Sequence, residues 1–241
     1  ETKFIGALVH ALAYPQAVAG WAGIGLAPRV VLRDMGRMID GWLSDYAHAC
    51  GKRRWVDKTP NYSLILPSVD AMFSARARYL WITRHPLDTA TSLRDYFSAP
   101  IQDDPDIVDT IARRGRSFLA WTSYWNDVNL RIRTFVGAAA DRCYRFTYED
   151  FVTAPDVVLT RILRFIDAPA IAHLDVTAFS TPHAAGYGDA VIRSSTAIYR
   201  TRVGISAHIP KAVRRRAWLS VRDLAAWLGY SEHAQSAHSD A

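Results

Sequence analysis

The stretch YLWITRHPLDTATSL (residues 79–93) joins a short apolar run to a charged turn and then to a helix-like segment. Residues 79–83 have the apolar and β-branched composition of a buried strand. Arg84 follows this strand directly, and Pro86 suits the first turn of a helix over about 87–97. Because ligands bind beyond the carboxyl ends of parallel strands and helix N-termini attract anions, this stretch predicts an anion site.

Further strand and helix patterns lie on both sides of this stretch. Strands are predicted at 54–56 and in RCYRFTYED (142–150), and helices at 35–50, 63–74 with a restart at Pro67, 107–136 as one long helix, 156–166 and from Pro210 onward. Since strands alternate with helices, we expect an α/β fold of three layers, a parallel sheet flanked by helices. Residues 1–230 are expected to form a single domain, and 231–241 a disordered tail.

The composition is that of a globular protein with an excess of positive charge. The 241 residues are 50% hydrophobic with a formal net charge of +6, which favours an anionic partner. The basic residues are scattered along the sequence, and only those in KAVRRR (211–216) form a cluster. No nucleic-acid partner is therefore expected. The two cysteines have neither metal nor disulfide-framework spacing, and neither end of the chain has a membrane-spanning stretch, so a cytoplasmic location is expected.

Arg84 and Ser92 are the residues of the opening stretch best suited to bind a phosphate. An arginine offers a planar fork of donors, and Ser92, two helical turns into the segment, offers a neutral hydroxyl. The alternative is that Arg84 pairs with Asp88 and that Ser92 only packs. Spacing alone leaves both interpretations open.

Several segments together resemble the sulfotransferases that use 3′-phosphoadenosine 5′-phosphosulfate (PAPS). RHPLDTATSL (84–93) resembles their 3′-phosphate segment, WVDKTPNY (55–62) their Lys-Thr-Pro loop, and FTYEDFV (146–152) their Tyr-Glu-Asp segment. YGDAVIRSSTAIYRTRVGISAHIP (187–210) is similar to the carboxyl-terminal part of bacterial members. The resemblance covers roughly residues 54–210. It implies a P-loop-NTPase-like sulfotransferase fold and transfer of a sulfuryl group from PAPS to a hydroxyl or amine, leaving adenosine 3′,5′-bisphosphate.

Carried over residue by residue, the resemblance implies roles for four side chains. Arg84 and Ser92 would hold the 3′-phosphate, and Tyr148 would face the adenine. Lys58 would stabilise the transition state, although a solvated lysine paired with Asp57 is the alternative. Sulfuryl transfer spreads charge over equatorial oxygens, so positioning and electrostatics supply most of the catalysis and no metal is expected.

The last third of the chain supplies weaker candidates. Arg193, Arg202 and Gly204 are expected to form a lid over the nucleotide, although the chain has Arg-Val-Gly where cytosolic relatives have Arg-Lys-Gly. His183 is a candidate base on the acceptor side, with an ordinary loop histidine as the alternative. The acceptor itself is expected to be a small molecule, a lipid or a glycan, in a pocket walled by the loop at 98–106 and the helix at 107–136.

One element of the family is missing from these 241 residues. Members begin with a strand and a phosphosulfate-binding loop, typically Pro-(Arg/Lys)-Ser-Gly-Thr-Thr. The glycine-containing stretch GWAGIGLAP (20–28) has no lysine, serine or threonine and no strand–loop–helix context, so it does not replace this loop. Since the chain starts at Glu1, we expect an amino-terminal piece to be cut off, which leaves the catalytic base unassigned. The alternatives are that the loop comes from elsewhere or that the protein has lost its donor site. For the function, the alternatives are a non-catalytic sulfotransferase-like binding domain and a nucleotide-dependent kinase.

Overall fold

A computed structural model describes residues 2–97, 105–170, 198 and 200–232 of the chain. These residues divide into two compact units, one up to residue 78 and the other from residue 79 onward. From residue 233 on, the predicted tail (231–241) lies outside the described residues. The single domain expected over 1–230 stays a prediction.

The first unit is helical. Its elements are α1 (Phe4–Leu12), α2 (Pro15–Gly23), α3 (Pro28–Ala49), α4 (Leu66–Phe73) and two 3-10 helices, Pro60–Leu64 and Ser74–Arg76. The helix predicted at 35–50 is confirmed as part of α3, and Pro67 lies in the first turn of α4, as its restart role requires. A Cβ on Gly36 would lie 2.1 Å from the carbonyl oxygen of Met72, so only glycine allows α3 and α4 to approach this closely.

The strand predicted at 54–56 is wrong. Residues 54–59 form no strand in the structure. Side-chain contacts, and not the backbone hydrogen bonds of a sheet, hold this segment in place. The Trp55 indole donates to the Asp40 carboxylate at 3.0 Å, and its ring meets that of Phe73 edge-on with centroids 5.5 Å apart. Three residues of strand-like composition are too few to distinguish these two outcomes.

The second unit contains a small parallel sheet with helices around it. Its strands are β1 (Tyr79–Thr83) and β2 (Cys143–Thr147), and Tyr79 lies opposite Cys143 and Thr83 opposite Thr147. The helices are α5 (Pro86–Tyr96), α6 (Pro105–Arg114), α7 (Phe118–Ala138), α8 (Tyr148–Thr153), α9 (Pro155–Phe165) and α10 (Lys211–Trp227), with 3-10 helices at Ala140–Arg142 and Ile205–His208. The described residues of this unit therefore form a helix-rich α/β structure, in which the predicted strand at 79–83 is confirmed.

The single long helix predicted over 107–136 is wrong, because α6 ends at Arg114 and α7 begins at Phe118. Gly115 has a φ of +76°, which ends α6. Ser117 then caps α7 by accepting a hydrogen bond from the backbone N–H of Ala120 at 3.1 Å. The apolar spacing continues through this break, so periodicity alone could not show it.

Helix α7 is the centre of the core of this unit. Trp125 on α7 packs in one buried cluster with Trp81 of β1 and Trp218 of α10. Trp121, one turn earlier, packs in a second cluster with Leu87 and Phe97 of the α5 region. The two clusters hold β1 and α5 against the same helix, so the turn between them, at Arg84, has a fixed backbone.

In the described part of the chain, no helix combines the length and hydropathy that a membrane crossing requires.

Candidate functional site

The turn between β1 and α5 is the place at which the sequence predicts an anion site. Arg84 follows the last residue of β1, and its Nη1 donates to the Ser92 hydroxyl at 3.1 Å. Its Nη2 donates to the backbone carbonyl oxygen of Arg202. The structure thus brings together Arg84 and Ser92, the two residues predicted to bind a phosphate, and adds the segment around Arg202.

Tyr148 contacts the same guanidinium. The Arg84 Cζ lies 4.6 Å from the centroid of the Tyr148 ring, a cation–π distance. The Nε of Arg84 is buried, and no described residue accepts a hydrogen bond from it. Burial lowers the pKa of Arg84, whereas the nearby Asp88 carboxylate acts to raise it; a guanidinium nevertheless stays charged in proteins. The Arg84 guanidinium is therefore a positively charged group whose buried Nε–H has no hydrogen-bond acceptor among the described residues.

Asp88 does not take the role that the alternative interpretation gave it. Its carboxylate is 1% exposed and accepts the backbone N–H groups of Gly204, at 2.6 Å, and of Ser206, at 2.9 Å. Among the described residues, Asp88 therefore binds a distant backbone segment, and the Arg84 side chain bonds to Ser92 and the Arg202 carbonyl. Gly204 has a φ of +78° at this point, a conformation that favours glycine.

Buried side chains hold the backbone of the turn between β1 and α5, at Arg84 and His85. The Trp125 indole donates to the carbonyl oxygen of Arg84 at 3.0 Å, and the backbone N–H of His85 donates to Glu149 Oε1 at 2.9 Å. The Tyr230 hydroxyl lies 3.2 Å from Glu149 Oε2 and 3.1 Å from the Thr83 hydroxyl. Burial and the Glu149 carboxylate raise the pKa of Tyr230, so its hydroxyl keeps its proton and donates.

The sequence did not assign Trp125 or Tyr230 to the site. Trp125 belongs to the apolar stripe of its helix, a pattern that indicates only core packing. Tyr230 follows a glycine after the last helix, and nothing in its local sequence distinguishes it from an ordinary terminal residue. Their contacts with Thr83 to His85 span more than 40 residues, so only the fold reveals them.

The remaining candidates of the last third fare differently. Arg202 and Gly204 do lie at the site, but they contribute backbone groups: the Arg202 carbonyl binds Arg84, and the Gly204 N–H binds Asp88. Arg193, His183 and residues 98–104 of the acceptor loop lie outside the described residues. Among those described, no group of three or more His, Cys, Asp or Glu side chains could hold a metal ion.

Lys58 lies in the first unit, on the extended segment before the 3-10 helix Pro60–Leu64. Its neighbour Asp57 organises this segment by accepting hydrogen bonds from the Thr2 backbone at 2.9 Å, the Thr2 hydroxyl at 2.8 Å, the Thr59 hydroxyl at 3.2 Å and the Tyr62 hydroxyl. Thr59 is buried and Lys58 is exposed. The loop therefore has a fixed backbone beneath an exposed lysine. Lys58 can still be either the group that stabilises the transition state or a solvated lysine paired with Asp57.

Hydrogen bonding overrides burial at Asp57. Burial acts to raise the pKa of its carboxyl, but hydrogen bonds from Tyr62 and Thr2 lower it below its ordinary 3.8. A carboxylate with a lowered pKa in the folded state stabilises the protein above its unfolded-state pKa and loses this contribution as the pH falls through the folded-state value. The stability that Asp57 contributes is accordingly present at neutral pH and lost in acid.

Replacing Tyr62 by phenylalanine should make the protein unfold at a higher pH on acid titration. The substitution removes one of the hydrogen bonds that lower the pKa of Asp57, so protonation begins sooner as the pH falls. Circular dichroism between about pH 5 and pH 2, the range in which carboxylates protonate, measures the midpoint. Tyr46→Phe, at a tyrosine that is 68% exposed, is the control; equal midpoints for Tyr62→Phe and the wild type would contradict the expectation.

Comparison with known proteins identifies the family and the fold. The sequence profile described as "Sulfotransferase family" matches residues 30–172, more than half of the chain. The fold is similar to the "Sulfotransferase Domain from the Curacin Biosynthetic Pathway", with a TM-score of 0.52 and 20% sequence identity, over 80% of this chain and 68% of that one. No curated protein sequence matches significantly. The structural match bears on the fold and the profile match on the family, and together they confirm the predicted sulfotransferase family and fold, whereas the three-layer sheet stays a prediction. The chain belongs to the sulfotransferase family, whose members are PAPS-dependent enzymes.

Proposed function

We propose that this protein transfers a sulfuryl group from PAPS to a hydroxyl or amine of a small-molecule, lipid or glycan acceptor, and that the turn after β1 holds the 3′-phosphate of the donor. The observation that carries this proposal is the buried Nε of Arg84, which has no acceptor among the described residues. A buried charged donor without a partner is costly. A phosphate oxygen would satisfy it.

The surroundings of Arg84 fit a phosphate in charge and in hydrogen bonding. Ser92 already lies against the guanidinium at 3.1 Å, and a hydroxyl can rotate to donate to a phosphate oxygen. The N-terminus of the eleven-residue helix α5 adds a favourable dipole. Asp88 is the nearby opposite charge, but backbone N–H groups occupy both of its oxygens. The site therefore keeps a net preference for anions.

Tyr148 gains a second role in this proposal. One face of its ring supports the Arg84 guanidinium, which fixes the orientation of the fork. We assign the adenine of the donor to the other face of the ring, because a flat amphipathic side chain suits a nucleobase. Tyr148 then links the adenine and the 3′-phosphate through Arg84.

The transfer step is assigned to the first unit. PAPS supplies the sulfuryl group; the acceptor oxygen or nitrogen forms a bond to sulfur while the bond from sulfur to the phosphate oxygen breaks, and adenosine 3′,5′-bisphosphate leaves with that electron pair. Lys58 balances the negative charge that develops on the oxygens around sulfur. The acceptor proton passes to a base that we do not assign, although His183 stays a candidate. Arg193 stays a candidate for the lid, and the three-layer sheet stays part of the proposed fold.

Calorimetric titration with adenosine 3′,5′-bisphosphate and with AMP tests the donor site. We expect the wild type to prefer the bisphosphate, and Arg84→Ala to weaken its binding by about 1.5–3 kcal/mol, the usual value of a hydrogen bond to a charged group. Binding of AMP should change little, because it lacks the 3′-phosphate.

Arg222→Ala is the matched control for this titration. Arg222 lies in the same unit, on α10, but its guanidinium forms an exposed ion pair with Asp223 at 3.3 Å, and such pairs contribute little. A folded wild type that binds AMP as tightly as the bisphosphate would overturn the assignment of the 3′-phosphate site.

A further inference from the structure

Asp88 ties the start of α5 to a segment more than 100 residues further along the chain. It is 1% exposed, and its two oxygens accept the backbone N–H groups of Gly204 and Ser206 at 2.6 and 2.9 Å. A buried carboxylate is stable only when its oxygens are hydrogen-bonded. These two contacts therefore satisfy Asp88 and at the same time fix the backbone at 204–206.

The segment that Asp88 holds also contacts the anion site. Arg202, two residues before Gly204, provides the carbonyl oxygen to which the Arg84 guanidinium donates. Asp88 and Ser92 are four residues apart in α5 and so lie on one face of the helix. The anchor for residues 202–206 is thus one turn away from the serine that binds Arg84.

Gly204 explains how two N–H groups reach one carboxylate. Its φ of +78° turns the backbone at this residue, and the 3-10 helix Ile205–His208 begins immediately afterwards. Backbone N–H groups that converge in such a turn form a concavity that suits an anion, and here those of Gly204 and Ser206 converge on Asp88. Here a carboxylate of the chain itself fills the concavity, so the Gly204 N–H is not free to bind a phosphate in this arrangement.

We propose that Asp88 is a positioning residue for the donor site: it holds residues 202–206 in place and, through the Arg202 carbonyl, sets the orientation of the Arg84 guanidinium. The selectivity for a 3′-phosphate then depends on a carboxylate that does not contact the nucleotide. This inference rests on the proposed function, in which Arg84 binds the 3′-phosphate.

Asp88→Asn tests the proposal with little change in shape. The variant keeps one acceptor oxygen but turns an NH₂ group toward the second backbone N–H, so the segment loses one of its two anchors. We expect adenosine 3′,5′-bisphosphate to bind about tenfold more weakly, as for the loss of a hydrogen bond to a charged group, while AMP binding changes less than about twofold. Asp95→Asn, an exposed carboxylate on the same helix, should leave both affinities unchanged.

Hydrogen exchange separates this proposal from the function on which it rests. In the ligand-free protein, the amides of Gly204 and Ser206 should exchange faster in Asp88→Asn than in the wild type. If the wild type fails to distinguish bisphosphate from AMP, the proposed function fails, and the exchange data still report on the anchor. If the wild type distinguishes them and a folded Asp88→Asn does so equally well, the positioning role of Asp88 is overturned.

Gly204→Ala provides a second variant in case Asp88→Asn does not fold. It leaves the carboxylate intact and strains the backbone at a positive φ, at a cost small enough to preserve the fold. The proposal expects the same selective loss of affinity for the bisphosphate. Unchanged selectivity in Gly204→Ala, with faster exchange at Ser206, would show that the segment does not orient Arg84.

Discussion

Replacing Lys58 by methionine is expected to reduce kcat by about 100- to 1,000-fold, the usual effect of removing one group that stabilises transition-state charge. Methionine keeps the length and the apolar stem of lysine but carries no charge. Negative charge accumulates on the oxygens around sulfur in the transition state, whereas we assign the 3′-phosphate to Arg84 and Ser92. The affinity for adenosine 3′,5′-bisphosphate should therefore stay within about twofold of the wild type.

The measurement is single-turnover release of adenosine 3′,5′-bisphosphate from PAPS in the presence of a panel of hydroxyl and amine acceptors. Lys52→Met, at another exposed lysine of the first unit, is the matched control and should retain full activity. The competing interpretation, a solvated lysine paired with Asp57, predicts at most a small change in stability. A Lys58→Met variant with normal turnover would therefore support that interpretation and remove Lys58 from the mechanism.

The strand and helix around Arg84 could be predicted because each follows from a local pattern. An apolar run at 79–83, a proline at position 86 and helical spacing beyond it are all read within 15 residues. The pairing of Arg84 with Ser92 could likewise be predicted, because both lie in this stretch, and in the structure Arg84 Nη1 lies 3.1 Å from the Ser92 hydroxyl. Local signals thus sufficed where the site is built from one strand–turn–helix unit.

The rest of the site depends on contacts that no local pattern encodes. Asp88 looked like a partner for Arg84 because the two are four residues apart, yet it binds backbone groups of Gly204 and Ser206. The backbone torsion of Gly115 decides where α6 ends, and a periodicity that continues beyond it conceals the break. Predictions failed or fell short where distant backbone or a single torsion angle determined the outcome.

Replacing Trp125 by alanine is expected to lower the free energy of unfolding by about 3–5 kcal/mol, the usual cost of truncating a large buried aromatic residue. Trp125 is 3% exposed and packs with Trp81 and Trp218 in the core of the second unit. Its removal leaves a cavity beside β1 and takes away the donor that binds the Arg84 carbonyl at 3.0 Å. Both losses fall next to the turn at Arg84, where we propose the anion site.

Trp125→Phe separates the hydrogen bond from the packing. Phenylalanine retains most of the apolar volume but cannot donate, so we expect a loss of stability of about 0.5–1.5 kcal/mol for the hydrogen bond alone. Because the Arg84 backbone is then held on one side only, through His85 and Glu149, affinity for adenosine 3′,5′-bisphosphate should fall more than affinity for AMP.

Denaturant unfolding followed by circular dichroism measures these changes, and Trp227→Ala is the control. Trp227 belongs to the same unit and stacks on Trp81, but it is 54% exposed, so its truncation should cost less than that of the buried Trp125. If Trp125→Ala costs as little as Trp227→Ala, the tryptophan cluster does not carry the stability of this unit. The rigidity of the Arg84 turn would then have to come from Glu149 and Tyr230 instead.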